Sequence, residues 1–228
     1  MKISERAIKL MLDEEGLDQP SKWPGEESGI SLGRGYDLGY EENFENDWKD
    51  YLTPDEIARL KTVVGLHGQS AKARAHEFTD IHITKEAADG VFKEKTLPEY
   101  ERQTREAFPG FGGLPLDAQG ALISLVYNRG ASMDGDRRSE MRAIKDLVLK
   151  KDLKGIANKI REMKRLWPTN LGLQERRDAE ADLVESCILA SVVQPQLEEV
   201  RKIGVEKPQG TFRFIQLLVK LIFIIFKK

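Results

Sequence analysis

The chain has 228 residues, 40% hydrophobic and 32% charged, with a formal net charge of −2. At roughly 150 residues per domain this allows one large domain or a domain with an appendage, and the apolar fraction suffices for a packed core, which excludes wholesale disorder. The single cysteine, Cys187, excludes an intramolecular disulfide framework; no Cys/His cluster offers a zinc site, and the near-neutral balance lacks the basic footprint of a nucleic-acid-binding domain.

Segment Met1 to Lys9 is charged and no clean apolar stretch follows it, so no signal peptide is expected and synthesis in a reducing cytoplasm is. Charge is unevenly spread. Met1 to Glu56 holds 15 acids against 6 bases, whereas Arg137 to Arg165 holds 11 bases against 4 acids. Such opposed charge either steers an anionic polymer toward one lobe or marks two solvated surfaces.

In chain order, Ser4 is placed to cap a first helix in which Ala7, Ile8, Met11 and Leu12 recur at helical spacing before Gly16. Asp18 to Tyr40 is rich in Gly, Pro and Ser, with a short apolar alternation at Ile30 and Leu32, which predicts a loop and a small hairpin. Thr53-Pro54-Asp55-Glu56 combines a capping box with proline at the first helical position. Thr84 opens another helix carrying Ala87, Ala88, Val91 and Phe92. Gly110 to Pro115 is a break, and Asp117 then begins the most apolar internal helix, which ends near Gly130. Three more helices are expected, around Met141–Val148, around Ile156–Met163, and from about Leu173 to Val193, with Pro195 close behind. No internal repeat is present.

Candidate chemistry gathers near the N-terminus. Glu15 falls at the last turn of the first helix, immediately before Gly16, and Ser31 and Asp37 lie in a glycine-dense turn. The segment Gly29 to Gly39 has four glycines in eleven residues, which lets the backbone approach a bulky ligand. Gly33, Gly35 and Tyr36 are therefore candidate substrate contacts. A carboxylic acid, a second carboxylate and a nearby hydroxyl are the minimum equipment for glycosidic cleavage: one group protonates the leaving oxygen, the other activates water or stabilises the oxocarbenium ion. The bland reading makes Glu15 an ion-pairing residue and Asp37 a turn residue satisfying backbone amides. A Gly-x-Gly step alone would suit a phosphate cradle, but Asp37 and the acids from Glu41 onward would repel a phosphate. His67, His76 and His82 are scattered among charged neighbours and suggest no ligand set.

The stretch Ser28-Gly29-Ile30-Ser31-Leu32-Gly33-Arg34-Gly35-Tyr36-Asp37-Leu38-Gly39 resembles the active-site turn of pesticin-like muramidases, a branch of the phage-type lysozymes, and Glu15-Gly16 resembles the step that ends their first helix. Tyr127-Asn128-x-Gly130, Arg138-Ser139-x-Met141, Leu166-Trp167 and Gly172-Leu173-x-x-Arg176-Arg177-x-x-Glu180 are similar, in the same order, to further elements of that family. The resemblance extends from about Ser4 to Leu183. It implies an α+β, lysozyme-like fold within a domain 1–206: a small N-terminal helix-plus-hairpin lobe (about 1–52), a mainly α-helical lobe (about 53–206), and a cleft between.

The resemblance also implies roles. Glu15 would be the general acid, kept protonated by a partly apolar cleft. Ser31 would position the water or the sugar. Asp37 would be the carboxylate that activates water or balances charge at the anomeric carbon. The family has threonine where this chain has Ser31, which keeps the hydroxyl but loses the methyl that restricts χ1. Ordinary phage lysozymes place their second carboxylate where this chain has Pro24. Glu14 is the rival of Glu15, on another side of the helix and without a following glycine. Trp23, beside Pro24, could stack on a sugar, and Asn128 either touches one or caps its helix. Trp167 reads as packing, Arg176 and Arg177 as partners of Glu180 or Asp178, and Cys187 as a buried small residue.

The implied activity is hydrolysis of the β-1,4 bond between N-acetylmuramic acid and N-acetylglucosamine in peptidoglycan, by a monomer that needs neither metal nor organic cofactor. It would act in the periplasm or on the wall, as a phage endolysin, a bacteriocin module or a secreted antibacterial effector. A lytic transglycosylase using Glu15 alone, and a wall-binding module with a degenerate site, are the other readings. After a linker at 207–211, the tail Phe212 to Lys228 carries Arg213, Gln216, Lys220 and Lys227 on one stripe of an otherwise apolar segment. It is shorter than the roughly 20 apolar residues of a membrane span, which predicts a cationic amphipathic helix contacting a membrane surface, or a segment packed on the helical lobe.

Overall fold

The first helix in the computed structural model, which describes residues 3–202, is α1 (Glu5–Glu14). It starts where Ser4 Oγ accepts the Ala7 amide at 3.3 Å, and it buries Ala7 and Met11. Glu15 already has extended dihedrals, so the chain leaves the helix directly into the loop. Two short strands follow, β1 (Ser31–Leu32) and β2 (Tyr36–Asp37), antiparallel with Ser31 opposite Asp37 and Leu32 opposite Tyr36. Asp18 adds a single antiparallel bridge to Gly33. Directly opposed residues share a face, so Ser31 and Asp37 lie on one side of the hairpin, and Leu32 and Tyr36 turn into a core on the other.

That smaller core gathers Ile30, Leu32, Leu38, Phe44, Trp48, Leu60, Phe78 and Val91. It is built from the hairpin together with α2 (Phe44–Trp48), α3 (Pro54–Lys61), α4 (Gly68–Arg74) and α5 (Lys85–Val91). Thr53 and Glu56 complete both halves of the expected capping box, and Thr84 Oγ1 accepts the Ala87 amide at 3.1 Å. A short π-helical turn, Phe92–Thr96, then carries the chain into α6 (Leu97–Ala107), α7 (Leu116–Arg129), α8 (Ser139–Lys150), α9 (Leu153–Glu162) and α10 (Leu171–Lys202).

The larger core centres on α7, whose residues Gly120 to Val126 are all buried, as an all-round apolar helix requires. Helix α1 packs on it at Gly120, where a Cβ would stand 2.1 Å from that of Ala7. Among the described residues the chain is mostly helical with one two-stranded antiparallel sheet, an α+β layout.

Two expectations are corrected. The division near residue 52 does not separate the cores: α1 belongs to the larger one, and the smaller one reaches Val91, because the apolar faces of α3 to α5 close over the hairpin. Helix α10 does not stop before Pro195 but continues to Lys202, since proline removes one amide while its fixed φ stays helical. The chain divides into two units, Met1–Cys187 and Ile188–Lys228. The linker and tail expectations lie outside the described residues. Within them, no helix is long and apolar enough to cross a membrane.

Candidate functional site

The end of α1 is held by the hairpin turn. Arg34 Nη1 donates to the carbonyls of Glu15 and Gly16 at 2.9 and 3.0 Å, which satisfies the orphan acceptors of the helix terminus. The same guanidinium pairs with Asp89 of α5 at 2.8 Å, both side chains largely buried. Tyr127 Oη, from α7, donates to the Arg34 carbonyl at 2.6 Å. The turn is thereby tied to three helices. Gly35, exposed and at φ +70°, sits over the acid: a Cβ here would meet Tyr127 Oη at 2.9 Å and Glu15 Oε2 at 3.7 Å.

Glu15 is not set in an apolar cleft. Its Oε1 accepts Arg176 Nη1 at 2.7 Å, with the Arg176 side chain 4% exposed and that of Glu15 22%, so the carboxylate keeps partial access to solvent. Glu15 also borders a concavity of about 550 Å³ on the outer side of α1, shared with Glu5, Lys9, Leu12, Arg34 and Lys93, which Asp18, Ser31 and Asp37 do not line. Glu14 points into solvent, which separates the two neighbouring acids.

Arg176 is aimed from behind. Glu180 Oε1 accepts Ser124 Oγ at 2.7 Å and Arg177 Nη2 at 2.8 Å, and it lies 3.5 Å from Arg176 Nε. Burial raises the Glu180 carboxyl pKa and lowers that of the Arg177 guanidinium, while their mutual attraction opposes both shifts. Two buried guanidiniums thus face two carboxylates, of which only Glu15 meets solvent.

A third acid belongs to the site and was not legible in the sequence. The Asp18 carboxyl pKa is raised first by burial and then by the charge of Glu15, with a smaller push from Asp37, while the nearby Gly35 backbone and Arg34 pull it down. What brings it here is the bridge to Gly33, a pairing across 15 residues that no local pattern announces. Glu15, Asp18 and Asp37 are therefore grouped around the hairpin.

Asp37 itself is committed to the turn. Its Oδ1 accepts the amides of Gly29 and Gly39 at 2.9 and 2.8 Å, and its Oδ2 shares the first at 3.1 Å. A Cβ on Gly29 would come within 2.3 Å of Oδ1, so that glycine is required by the carboxylate. The turn-satisfying reading of Asp37 thus holds at the level of hydrogen bonding. Ser31, cross-strand from Asp37 and buried, has no partner for its Oγ among the described residues.

No protein-family model and no curated protein matches the chain.

Three expected substrate contacts are used by the scaffold instead. Tyr36 is buried, donates its hydroxyl to Asp47 at 2.8 Å and meets Trp48 edge-on, because strand alternation turns it into the small core. Gly33 backs onto Ala88, 2.8 Å from where a Cβ would stand. Trp23 donates to the Ser28 carbonyl at 2.9 Å, and the Lys72 ammonium lies 5.3 Å from its ring, so it braces the loop. Asn128 does not cap α7, which ends on the Gly130 amide; its Oδ1 is buried without a partner, beside a second cavity. Among the described residues no group of three or more His, Cys, Asp or Glu is arranged to hold a metal ion.

Proposed function

We propose that the protein is a muramidase of lysozyme-like fold, a glycoside hydrolase cleaving the β-1,4 bond between N-acetylmuramic acid and N-acetylglucosamine of peptidoglycan. The observation that carries this reading is the partly exposed Glu15 carboxylate, with Oε2 beside the Gly35 turn while Arg176 holds the other oxygen. The likeness of Glu15-Gly16 and of the Gly29–Gly39 turn to pesticin-like muramidases supports it.

In this reading Glu15 Oε2 gives its proton to the glycosidic oxygen, the bond to the muramic acid anomeric carbon breaks, and N-acetylglucosamine leaves with a free hydroxyl. Positive charge builds at that carbon. Asp37, fixed in place by two amides, and Asp18 supply the opposing negative charge. Ser31 Oγ, on the same face of the hairpin as Asp37, orients the attacking water, whose oxygen bonds to the anomeric carbon while its proton passes to a carboxylate.

Mass spectrometry of digested peptidoglycan tests this. Muramic acid at the new reducing ends is the expected product, and Glu15→Gln lowers the rate about 10²–10⁴-fold. Glucosamine at the reducing ends, or an active Glu15→Gln, overturns the reading. One observation favours a lytic transglycosylase instead: both Asp37 oxygens already accept backbone amides, which leaves Glu15 to act without a mobile partner. Anhydro-muramic ends identify that reaction.

A further inference from the structure

The C-terminal end of α7 opens on a cavity of about 520 Å³ that the glycosidase reading does not use. Its lining includes Asn128, Arg129, Arg137, Arg138 and Trp167. The three arginines satisfy themselves on neutral acceptors. Arg129 donates to Met163 Sδ at 2.8 Å and to the Arg137 carbonyl at 2.7 Å, and its guanidinium lies 5.1 Å from the Trp167 ring centre. Arg138 donates to the carbonyls of Arg129 and Gly130, and Arg137 to that of Leu166 at 3.3 Å. Asp134 and Asp136 stand exposed on the rim, and among the described residues neither forms an ion pair with these guanidiniums.

Three like charges that form no ion pair among the described residues, with only the exposed Asp134 and Asp136 and the nearby Glu140 to offset them, are an unfavourable arrangement for a scaffold and a favourable one for an anion. Arg129 registers the crowding: burial, followed by the charges of Arg138 and Arg177, pushes its pKa down to about 10. Guanidinium forks match the oxygens of a phosphate. The volume falls within the 300–1,000 Å³ range of small-molecule sites.

We propose that this cavity binds a small phosphate ester, the guanidiniums of Arg129, Arg137 and Arg138 holding the phosphate. The chemistry is shared by a free ester such as glycerol phosphate and by the glycerol phosphate headgroup of an anionic lipid. The site does not depend on the glycosidase reading, and its test uses no activity.

Isothermal titration of the full chain with glycerol 3-phosphate, at constant ionic strength, is expected to give saturable binding to one site. The expected loss of affinity in Arg137→Gln is about tenfold. That side chain is exposed and spans only to the Leu166 carbonyl, so the variant is expected to fold, with circular dichroism as the check. If Arg138→Gln, which uncaps α7, fails to fold, Arg137→Gln alone carries the test. Vesicles of phosphatidylglycerol, against phosphatidylcholine, separate the sources: sedimentation competed by glycerol phosphate assigns the lipid headgroup, and binding of the free ester without such competition assigns the soluble compound. Heat no greater than that given by acetate or chloride, or unchanged affinity in Arg137→Gln, overturns the proposal.

Discussion

Arg176 and Glu15, 161 residues apart in the chain, meet in an ion pair of 2.7 Å that joins α10 to the end of α1. One carboxylate oxygen is thereby immobilised, and in the proposed reaction the other carries the proton. Lysine in place of Arg176 keeps the charge but loses the fork that also reaches toward Ser124 and Glu180. Arg176→Lys is therefore expected to lower kcat on peptidoglycan about 10²-fold with KM little changed. A change in KM alone would show that Arg176 binds substrate rather than orienting the acid.

Glu180 is the carboxylate that pairs with Arg177 among the described residues, and both side chains are fully buried. Its replacement by glutamine leaves a buried guanidinium without a counter-charge, which costs about 3–5 kcal/mol. Urea denaturation should read this loss in full. A loss below about 1 kcal/mol would mean that the pair contributes little beyond its own desolvation.

Asp18 makes stability depend on pH with a defined sign. Burial first, and the Glu15 charge second, raise its folded pKa above the unfolded value, so in the interval between the two the native state binds more protons. Stability through this group therefore falls as pH rises across that interval. Asp18→Asn is expected to be more stable than the parent at neutral pH, with the difference vanishing once both chains are acidified below the carboxylate range. Denaturation curves at the two extremes check it; a difference that instead grows on acidification contradicts the assignment of Asp18 to the site.

Gly120 sits in the middle of α7, where alanine would ordinarily be favoured by about 0.5–1 kcal/mol. Here the added methyl would stand 2.1 Å from Ala7 Cβ and must push α1 away. Gly120→Ala is expected to cost about 1–3 kcal/mol and to lower activity, since α1 carries Glu15. Stability measured by denaturation and the rate of wall hydrolysis should fall together.

Local signals were readable from the residues alone. Ser4, Thr53 and Thr84 start their helices because each cap bonds an amide a few positions away, and Gly130 ends α7 because its positive φ closes the last turn. The glycine-dense hairpin was legible from its turn residues, whereas the register that sets Ser31 opposite Asp37 was not. The contacts of Arg176 with Glu15, of Asp18 with the Gly35 turn, and of Tyr36 with Asp47 were not. Each joins groups whose approach is set by how helices and strands pack, and neither periodicity nor capping records which face of one element will cover another. Sequence therefore determined where most elements begin and that a glycine-dense turn carries Ser31 and Asp37; tertiary packing decided that Glu15 is held by a guanidinium, that Asp18 lies near it, and that the small core extends to Val91, because these depend on long-range burial and charge pairing.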